Sequence, residues 1–180
     1  MESIKNIAVI LAGGSGSRTG LDIPKQFVTI CGKTVLEYSV QAFQDNPGID
    51  LIFIVAATEW HDRIKQMCTA NGWSKLACIL AGGAERYNSS LAAIEACKDM
   101  PECNLIFHDA ARPLVSQRII TDTVNAMETC LALDVAIPST DTVVRASSAH
   151  KVLPVIEQIP DRRRLWREQT PQAFRKSVIE

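Results

Sequence analysis

The stretch Ile7-Ala8-Val9-Ile10-Leu11-Ala12-Gly13-Gly14 decides the fold class, because a continuous apolar run ends abruptly at a pair of glycines. An apolar run without polar alternation is typical of a strand that is buried on both faces. Strands of this kind belong to parallel sheets that helices cover on both sides. The stretch therefore predicts an α/β fold in which a glycine loop follows the first strand.

The rest of the chain alternates short apolar runs with segments of helical periodicity. Predicted strands lie at residues 7–11, 51–56, 78–80, 105–107 and 135–137. Predicted helices lie at residues 34–44, 59–71, 88–98 and 117–131, with Thr34 as an N-cap and Gly72 as a C-cap. Strands separated by helices of this length indicate βαβ crossovers. We therefore expect a single Rossmann-like α/β domain with a mostly parallel sheet, whose ligands bind beyond the carboxyl ends of the strands.

The composition is that of an ordinary globular chain. Hydrophobic residues make up 47% of the 180 residues, charged residues 22%, and the net charge is −1, which gives no reason to expect nucleic acid or a membrane as a partner. The N-terminus leads directly into a strand, and no apolar run reaches the roughly 20 residues that span a bilayer. We expect no signal peptide and a cytoplasmic location. The six cysteines form no C-x-x-C pair, and we interpret them as reduced core residues.

The character of the chain changes after about residue 140. Residues 140–176 contain eight basic and four acidic side chains, and polar residues dominate as far as residue 169. This segment does not continue the alternation of strands and helices. We interpret it as an excursion from the core.

The first glycine loop carries two cations, Arg18 within it and Lys25 just beyond it. The loop has no Gly-Lys-Ser/Thr sequence of the P-loop type, and Gly20 comes one position too late for a G-x-G-x-x-G dinucleotide motif, so a nicotinamide enzyme is disfavoured. Glycines let the backbone approach phosphate oxygens closely, and the two cations would neutralise charge during phosphoryl transfer. The alternative is an ordinary glycine turn with a solvated arginine.

Two more loops follow predicted strands. The glycine pair at 82–83 precedes a polar helix start, which indicates either a second phosphate- or base-binding turn or simple N-caps at residues 88–90. Asp109 ends a buried strand, where a carboxylate can hold Mg²⁺ against a triphosphate, and the alternative is an ion pair with Arg112. We interpret His108 as a structural histidine.

Together these loops resemble the 2-C-methyl-D-erythritol 4-phosphate cytidylyltransferase family. The blocks that carry the resemblance are Pro24-Lys25-Gln26-Phe27, His108-Asp109-Ala110-Ala111-Arg112-Pro113, Asp141-Thr142, and the run from Asp161 through Gln169-Thr170-Pro171-Gln172 to Phe174. They follow the family's order over nearly the whole chain. The resemblance implies a nucleotide-diphospho-sugar transferase type of fold, a CTP-dependent cytidylyl transfer to a polyol phosphate, and a protruding β-arm at about residues 140–165 that embraces a second subunit in a homodimer.

The resemblance also implies roles for individual residues. The implied catalytic residues are Arg18 and Lys25. The implied nucleotide-binding residues are Ala12, Gly13, Gly14, Gly16, Gly83, Arg86, Ser89 and Ala110. The implied acceptor-binding residues are Arg112, Thr142, Arg162 and Thr170, with Thr142 and Arg162 serving the partner's site, and Asp109 is the implied Mg²⁺ ligand.

The sequence leaves the acceptor open. Ala12-Gly13-Gly14 is more similar to ribitol-5-phosphate cytidylyltransferases, whereas Ala111 and the Arg164-Leu165-Trp166 run are more similar to the methylerythritol branch, which we favour. The family continues for several elements beyond Phe174, so we expect a C-terminally incomplete domain. Two other readings stay open: a sugar-phosphate nucleotidyltransferase that uses UTP or another nucleotide, and a non-catalytic, dimerising fragment that binds nucleotide.

Overall fold

The computed structural model describes residues 4–14, 23–83, 85–147 and 153–179, which form two compact units. The first unit comprises residues 1–133 and 170–180, and the second comprises residues 134–169. The strands are β1 (Lys5–Ala12), β2 (Thr29–Ile30), β3 (Lys33–Thr34), β4 (Leu51–Ala56), β5 (Leu76–Ala81), β6 (Cys103–Asp109), β7 (Ala132–Pro138), β8 (Arg145–Ala146), β9 (Ile156–Gln158) and β10 (Trp166–Arg175). The helices are α1 (Val35–Gln44), α2 (His61–Asn71), α3 (Arg86–Ala96), α4 (Gln117–Ala126) and α5 (Lys176–Ile179).

The central sheet is mostly parallel, as the sequence predicts. Its strand order is β5-β4-β1-β6-β10-β7. β1 pairs in parallel with β4 and β6, and β4 pairs in parallel with β5, while β10 runs antiparallel to β6. The register sets Leu11 opposite both Val55 and Asp109. The carboxyl ends of β1, β4 and β6 therefore meet at one edge of the sheet.

The core occupies both faces of this sheet because side chains of β1 alternate between them. Ala8 and Ile10 face a cluster that includes side chains of α1, α2 and α4. Ile7 and Val9 face a second cluster, which includes Ala93 of α3. All four β1 residues have no solvent exposure. A strand buried on both sides explains the unbroken apolar run in the sequence.

Two predicted helix ends are confirmed. Thr34 is the N-cap of α1, where its side chain accepts a hydrogen bond from the backbone of Glu37 and the Glu37 carboxylate accepts one from the backbone of Thr34. Gly72 ends α2 in the left-handed conformation with φ of 65°, which glycine adopts without steric cost.

Other helix limits differ from the prediction. α2 begins at His61 rather than at residue 59, because Thr58–Trp60 form a 3-10 turn, and α3 ends at Ala96 rather than at residue 98. α3 begins at Arg86 with Glu85 as its N-cap, so residues 88–90 lie inside the helix and do not cap it. α4 ends at Ala126 rather than at residue 131, because the following turn tightens to bonds such as Glu128 N to Asn125 O.

The sequence does not predict β10, the ten-residue strand that contacts β6. The alternation of apolar and polar side chains that marks a strand is hard to recognise here, because charged and polar residues dominate the first half of β10. Side-chain contacts, together with the backbone hydrogen bonds to β6, hold its second half in place. Phe174 packs edge-on against Phe107 at 6.2 Å between ring centroids, and Arg175 donates to Met127 O at 2.7 Å.

The second unit contains the β8–β9 hairpin and a short turn. The Asp161 carboxylate caps this turn at Arg163 N and pairs with the Arg163 guanidinium at 2.7 Å. Leu165 O accepts a hydrogen bond from Ser139 N at 2.9 Å. The exposed apolar side chains among the unit's described residues are Ile137, Val143, Val144, Leu153, Val155, Ile156, Ile159 and Trp166.

The described cysteines are all free thiols, as predicted, but not all belong to the core. Cys97 and Cys103 are buried, whereas Cys31 and Cys130 are exposed. Cys31 lies in the tight turn between β2 and β3 with φ of 49°, a position that places its side chain outside the core. Among the described residues, no helix is long and apolar enough to cross a membrane.

Candidate active site

A cavity of about 520 Å³ opens at the carboxyl ends of the parallel strands in the first unit. Its lining residues within the described part of the chain are Leu11, Gly13, Gly14, Lys25, Gln26, Gly83, Glu85, Arg86, Ser89, Asp109, Ala111 and Arg112. Three of these described side chains are cationic and two are acidic, which gives this part of the lining a small excess of positive charge. Eight of the residues that the sequence assigns to the site line this one cavity: Gly13, Gly14, Lys25, Gly83, Arg86, Ser89, Asp109 and Arg112.

The two glycine loops approach each other around Ser89 of α3. A Cβ atom added to Gly13 would lie 3.0 Å from Ser89 Oγ, and one added to Gly82 would lie 3.1 Å from the same atom. One added to Gly83 would clash with Asn88 Cβ, whereas one added to Gly14 would meet no described atom within 4 Å. Packing of α3 therefore requires glycine at position 83 and leaves little room for a side chain at positions 13 and 82.

Lys25 is exposed at the start of a single-turn 3-10 helix whose other two residues, Gln26 and Phe27, are buried. The Phe27 ring stacks on Trp60 with 4.3 Å between ring centroids. The Gln26 amide donates to Ala12 O at 2.6 Å and to Gly14 O at 2.9 Å. The turn is thus fixed to the core on one side and to the glycine loop on the other, and it presents the Lys25 side chain to the cavity.

Asp109 lies between two arginines. Arg86 Nε is 3.3 Å from Oδ1 and Arg112 Nε is 3.3 Å from Oδ2, so each carboxylate oxygen has one cationic partner. Arg86 also donates to Gln172 Oε1 at 2.9 Å. The Asp109–Arg112 ion pair that the sequence leaves as an alternative to metal binding is present. Both arginines remain about half exposed, so they can also reach an anion in the cavity.

His108 is a buried structural residue, as predicted. Burial lowers its pKa to about 4, so the imidazole is neutral at physiological pH. Nε2 lies 3.0 Å from Arg112 O, which can only accept, so Nε2 carries the proton. Nδ1 is then the acceptor and takes a hydrogen bond from Thr170 Oγ1 at 3.0 Å. The ring therefore ties Arg112 to β10.

Three predicted site residues lie beneath the cavity instead of lining it. Ala12 offers its carbonyl to Gln26. Ala110 donates from its backbone to Leu11 O at 3.0 Å and accepts from Ser39 Oγ at 2.8 Å. Thr170 is 8% exposed and its hydroxyl contacts His108. In this structure all three residues support the neighbours that line the cavity.

The remaining four predicted site residues are Thr142, Arg162, Gly16 and Arg18, and of these only the first two are described. Thr142 and Arg162 are exposed residues of the second unit. Gly16 and Arg18 lie outside the described residues. Their roles stay predictions.

Gln26 and Gln172 are not predicted as site residues, although each makes a hydrogen bond that fixes a cavity-lining group. Both lie in blocks that carry the family resemblance, Pro24-Lys25-Gln26-Phe27 and Gln169-Thr170-Pro171-Gln172. The family resemblance therefore marks the blocks that contain both glutamines. The sequence does not show which groups the two side chains contact, because their partners are distant in the chain.

Asp109 is the described residue that the sequence assigns to Mg²⁺. Among the described residues there is no group of three or more His, Cys, Asp or Glu side chains that would hold a metal. Asp109 offers one carboxylate that already contacts two arginines. Mg²⁺ is commonly bound by one or two carboxylates together with substrate phosphates. A single aspartate fits that arrangement.

A model of the IspD family, described as 2-C-methyl-D-erythritol 4-phosphate cytidylyltransferase, matches residues 6–180. The chain is 42% identical over 173 residues to the 2-C-methyl-D-erythritol 4-phosphate cytidylyltransferase of Thermobifida fusca, covering 96% of this chain and 70% of that protein. A crystal structure of 4-diphosphocytidyl-2C-methyl-D-erythritol synthase from Anaerococcus prevotii is similar with a TM-score of 0.81 and 28% identity, covering 97% of this chain and 72% of that one.

A relative with a different name is equally similar in sequence. The chain is 43% identical over 180 residues to the bifunctional ribulose 5-phosphate reductase/CDP-ribitol pyrophosphorylase Bcs1 of Haemophilus influenzae. The match covers 99% of this chain and 37% of that protein. The chain thus spans little more than a third of this relative.

The neutral state of His108 predicts a loss of stability in mild acid. Its pKa is about 4 in the folded protein and about 6.5 in the unfolded chain, so the unfolded chain binds the proton first as the pH falls. Between pH 7 and pH 4.5 this one group should lower the free energy of unfolding by about 2 kcal/mol. Urea unfolding of the wild type and His108→Gln at both pH values measures the difference, which should be smaller in the variant. Equal losses of unfolding free energy in the wild type and the variant would contradict the neutral state of His108.

Proposed function

We propose a function for this chain from its family, because the chain belongs to the 2-C-methyl-D-erythritol 4-phosphate cytidylyltransferase family. It transfers a cytidylyl group from CTP to 2-C-methyl-D-erythritol 4-phosphate. The products are 4-diphosphocytidyl-2-C-methyl-D-erythritol and diphosphate, which places the reaction in non-mevalonate isoprenoid biosynthesis. The observation that carries the proposal is the cavity in which two glycine loops meet three cationic side chains at the strand ends. Such a site suits a polyphosphate.

The reaction is an in-line displacement at phosphorus. An oxygen of the acceptor's phosphate attacks the α-phosphorus of CTP and forms a new phosphorus–oxygen bond. The bond between the α-phosphorus and the oxygen that bridges to the β-phosphate breaks, and diphosphate leaves with its electron pair. A phosphate monoester is already ionised near neutral pH, so the protein needs no general base. Its work is positioning and charge neutralisation.

Each lining residue takes a role that its position supports. The backbone of the first glycine loop and Lys25 hold the triphosphate, and Lys25 stabilises charge on the reacting and leaving phosphates together with Arg18. Gly83 and Ser89, which line the same cavity, take the cytidine end. Arg112 takes the phosphate of the acceptor.

Asp109 is the residue of this cavity that would contact Mg²⁺ bound together with the nucleotide. Asp109 would hold it jointly with phosphate oxygens, and the ion would neutralise part of the charge that develops on the diphosphate. An anion in the cavity would compete with Asp109 for Arg86 and Arg112. Each arginine can be displaced, because its contact with the carboxylate is long, at 3.3 Å. The carboxylate then becomes available to the metal ion.

A second candidate acceptor is D-ribitol 5-phosphate. The name of the Haemophilus influenzae relative includes CDP-ribitol pyrophosphorylase, and the identity of 43% is as high as that to the methylerythritol enzyme. The Ala12-Gly13-Gly14 loop is also more similar to the ribitol branch. In that case the product is CDP-ribitol for a cell-wall or capsule polymer, and the displacement chemistry is unchanged.

The second unit is proposed to be a dimerisation arm, and the enzyme to be a cytoplasmic homodimer. Eight exposed apolar side chains among the described residues of 134–169 support this assignment, because exposed apolar surface of this kind often marks a protein–protein interface. Ile159 and Trp166 are each more than 60% exposed. In a dimer, Thr142 and Arg162 would serve the acceptor site of the second subunit.

Replacing Lys25 should slow the chemical step. Lys25→Ala removes a cation that acts on transition-state charge, so kcat should fall by about 100-fold or more while the fold is kept. Initial rates of diphosphate release measure the effect. Lys33→Ala is the matched control, because Lys33 is an exposed lysine that does not line the cavity. Similar kcat values for both variants would remove Lys25 from the mechanism.

The acceptor is identified by diphosphate release from CTP with methylerythritol 4-phosphate and ribitol 5-phosphate in parallel, each with Mg²⁺ and with EDTA. We expect turnover with methylerythritol 4-phosphate that requires Mg²⁺. Turnover with ribitol 5-phosphate alone would replace the proposed acceptor by the second candidate. Absence of turnover with both acceptors, in a protein that carries the full length of its relatives, would contradict the proposed function.

The arm proposal predicts a dimer that depends on the second unit. Ile159→Asp places a charge among the exposed apolar residues and should convert a dimer into a monomer, as measured by sedimentation velocity. Ile30→Asp makes the same change at an exposed residue of the first unit and should leave the dimer intact. A wild-type protein that is monomeric at micromolar concentration would contradict the arm.

A further inference from the structure

One buried side chain connects the two backbone segments that form the proposed phosphate site. Gln26 is 2% exposed, and its amide nitrogen makes two hydrogen bonds to described residues. An amide NH₂ group has two hydrogens, and here one points at Ala12 O at 2.6 Å and the other at Gly14 O at 2.9 Å. The donor capacity of this group is therefore fully used on the glycine loop.

These two bonds set the orientation of the loop's peptide planes. In a trans peptide the C=O and the N–H point in opposite directions. Because the Ala12 carbonyl points at Gln26, the N–H of Gly13 in the same peptide points away from it. Glycine peptides rotate easily, and a carbonyl turned into the cavity would repel phosphate oxygens. Gln26 holds both carbonyls away from an anion and keeps the Gly13 N–H available.

Gln26 is itself held by its neighbours in the chain. Phe27 has no solvent exposure and stacks on Trp60, and its backbone donates to Pro24 O at 2.9 Å. Arg63 lies over the Phe27 ring at 5.3 Å from its centroid. The residue before Gln26 is Lys25, the cation of the proposed site. Anchoring Gln26 therefore fixes Lys25 relative to the loop.

We propose that Gln26 is a positioning residue that joins the glycine loop and the Lys25 turn into one preformed receptor for the nucleotide's phosphates. The inference rests on the proposed function, since it concerns the same nucleotide site. Gln26 does not act on the reacting atoms. It sets where the backbone donors and the Lys25 cation lie before the nucleotide arrives, which lowers the ordering cost of binding.

The test compares two replacements of similar length. Gln26→Met keeps the volume and removes both donors, which leaves two carbonyls unpaired. Gln26→Glu replaces the NH₂ group by an oxygen that repels both carbonyls when ionised. Both variants should raise the Kd for Mg-CTP by about tenfold or more and lower kcat as well, because Lys25 loses its position.

Gln117→Glu is the matched control. The Gln117 amide also donates to a backbone carbonyl, Ala42 O at 2.7 Å, but Gln117 does not line the cavity. This variant should change thermal stability without changing the Kd for Mg-CTP. If Gln26 had only a structural role, Gln26→Met would behave in the same way.

The pH dependence of Gln26→Glu separates positioning from general damage. A carboxyl group buried against two carbonyl oxygens has a raised pKa, and its protonated form can donate one hydrogen bond. The affinity of Gln26→Glu for Mg-CTP, relative to the wild type, should therefore recover as the pH falls from about 8 to 6. Gln26→Met has no such group and should show no recovery.

The outcomes distinguish the two proposals. Failure of the wild type to bind Mg-CTP contradicts the proposed function. Wild-type binding with an unchanged Kd in both Gln26 variants overturns the role of Gln26 and leaves the proposed function standing. Recovery of Gln26→Glu at low pH supports the role, and a pH-independent defect equal to that of Gln26→Met overturns it.

Discussion

The parallel pairing of β1 with β4 and β6 is the constraint on which the candidate site depends. The register sets Leu11 beside Asp109 on one side and beside Val55 on the other. It therefore brings the glycine loop after β1 to the same edge of the sheet as Asp109. Burial of β1 on both faces fixes this register, because a slip by one residue would exchange the side chains of the two core clusters. The site's geometry is thus set by the core.

Polar contacts fix the loops and side chains at this edge of the sheet. Gln26 orients the glycine loop, Gln172 contacts Arg86, and neutral His108 ties Arg112 to β10. These contacts place cations around a cavity in which Asp109 lies between two arginines. Two arginines share Asp109, so the free protein keeps its charges paired until an anion offers the arginines another partner. A site of this kind is preorganised for phosphates and avoids a cluster of uncompensated positive charge.

Much of this could be predicted from the sequence. The α/β class, the parallel strands and the caps at Thr34 and Gly72 follow from apolar runs and local turn chemistry, and eight predicted site residues line the cavity. The rest depended on contacts between residues distant in the chain. β10 is hidden by its polar first half, and Gln26 is informative only once Ala12 and Gly14 lie beside it. The start of α3 was misplaced because Asn88, Ser89 and Ser90 are strong cap residues, whereas the chain is still extended at Glu85.

The central claim is that the cavity at the strand ends receives the triphosphate of CTP. A crystal structure of the protein with CTP and Mg²⁺ tests it most directly. Phosphate oxygens should lie within hydrogen-bond distance, about 3 Å, of the Gly13 backbone nitrogen and of Lys25 Nζ. Arg86 or Arg112 should also be displaced from Asp109 toward the ligand. A triphosphate bound elsewhere, with both arginines still paired to Asp109, would contradict it.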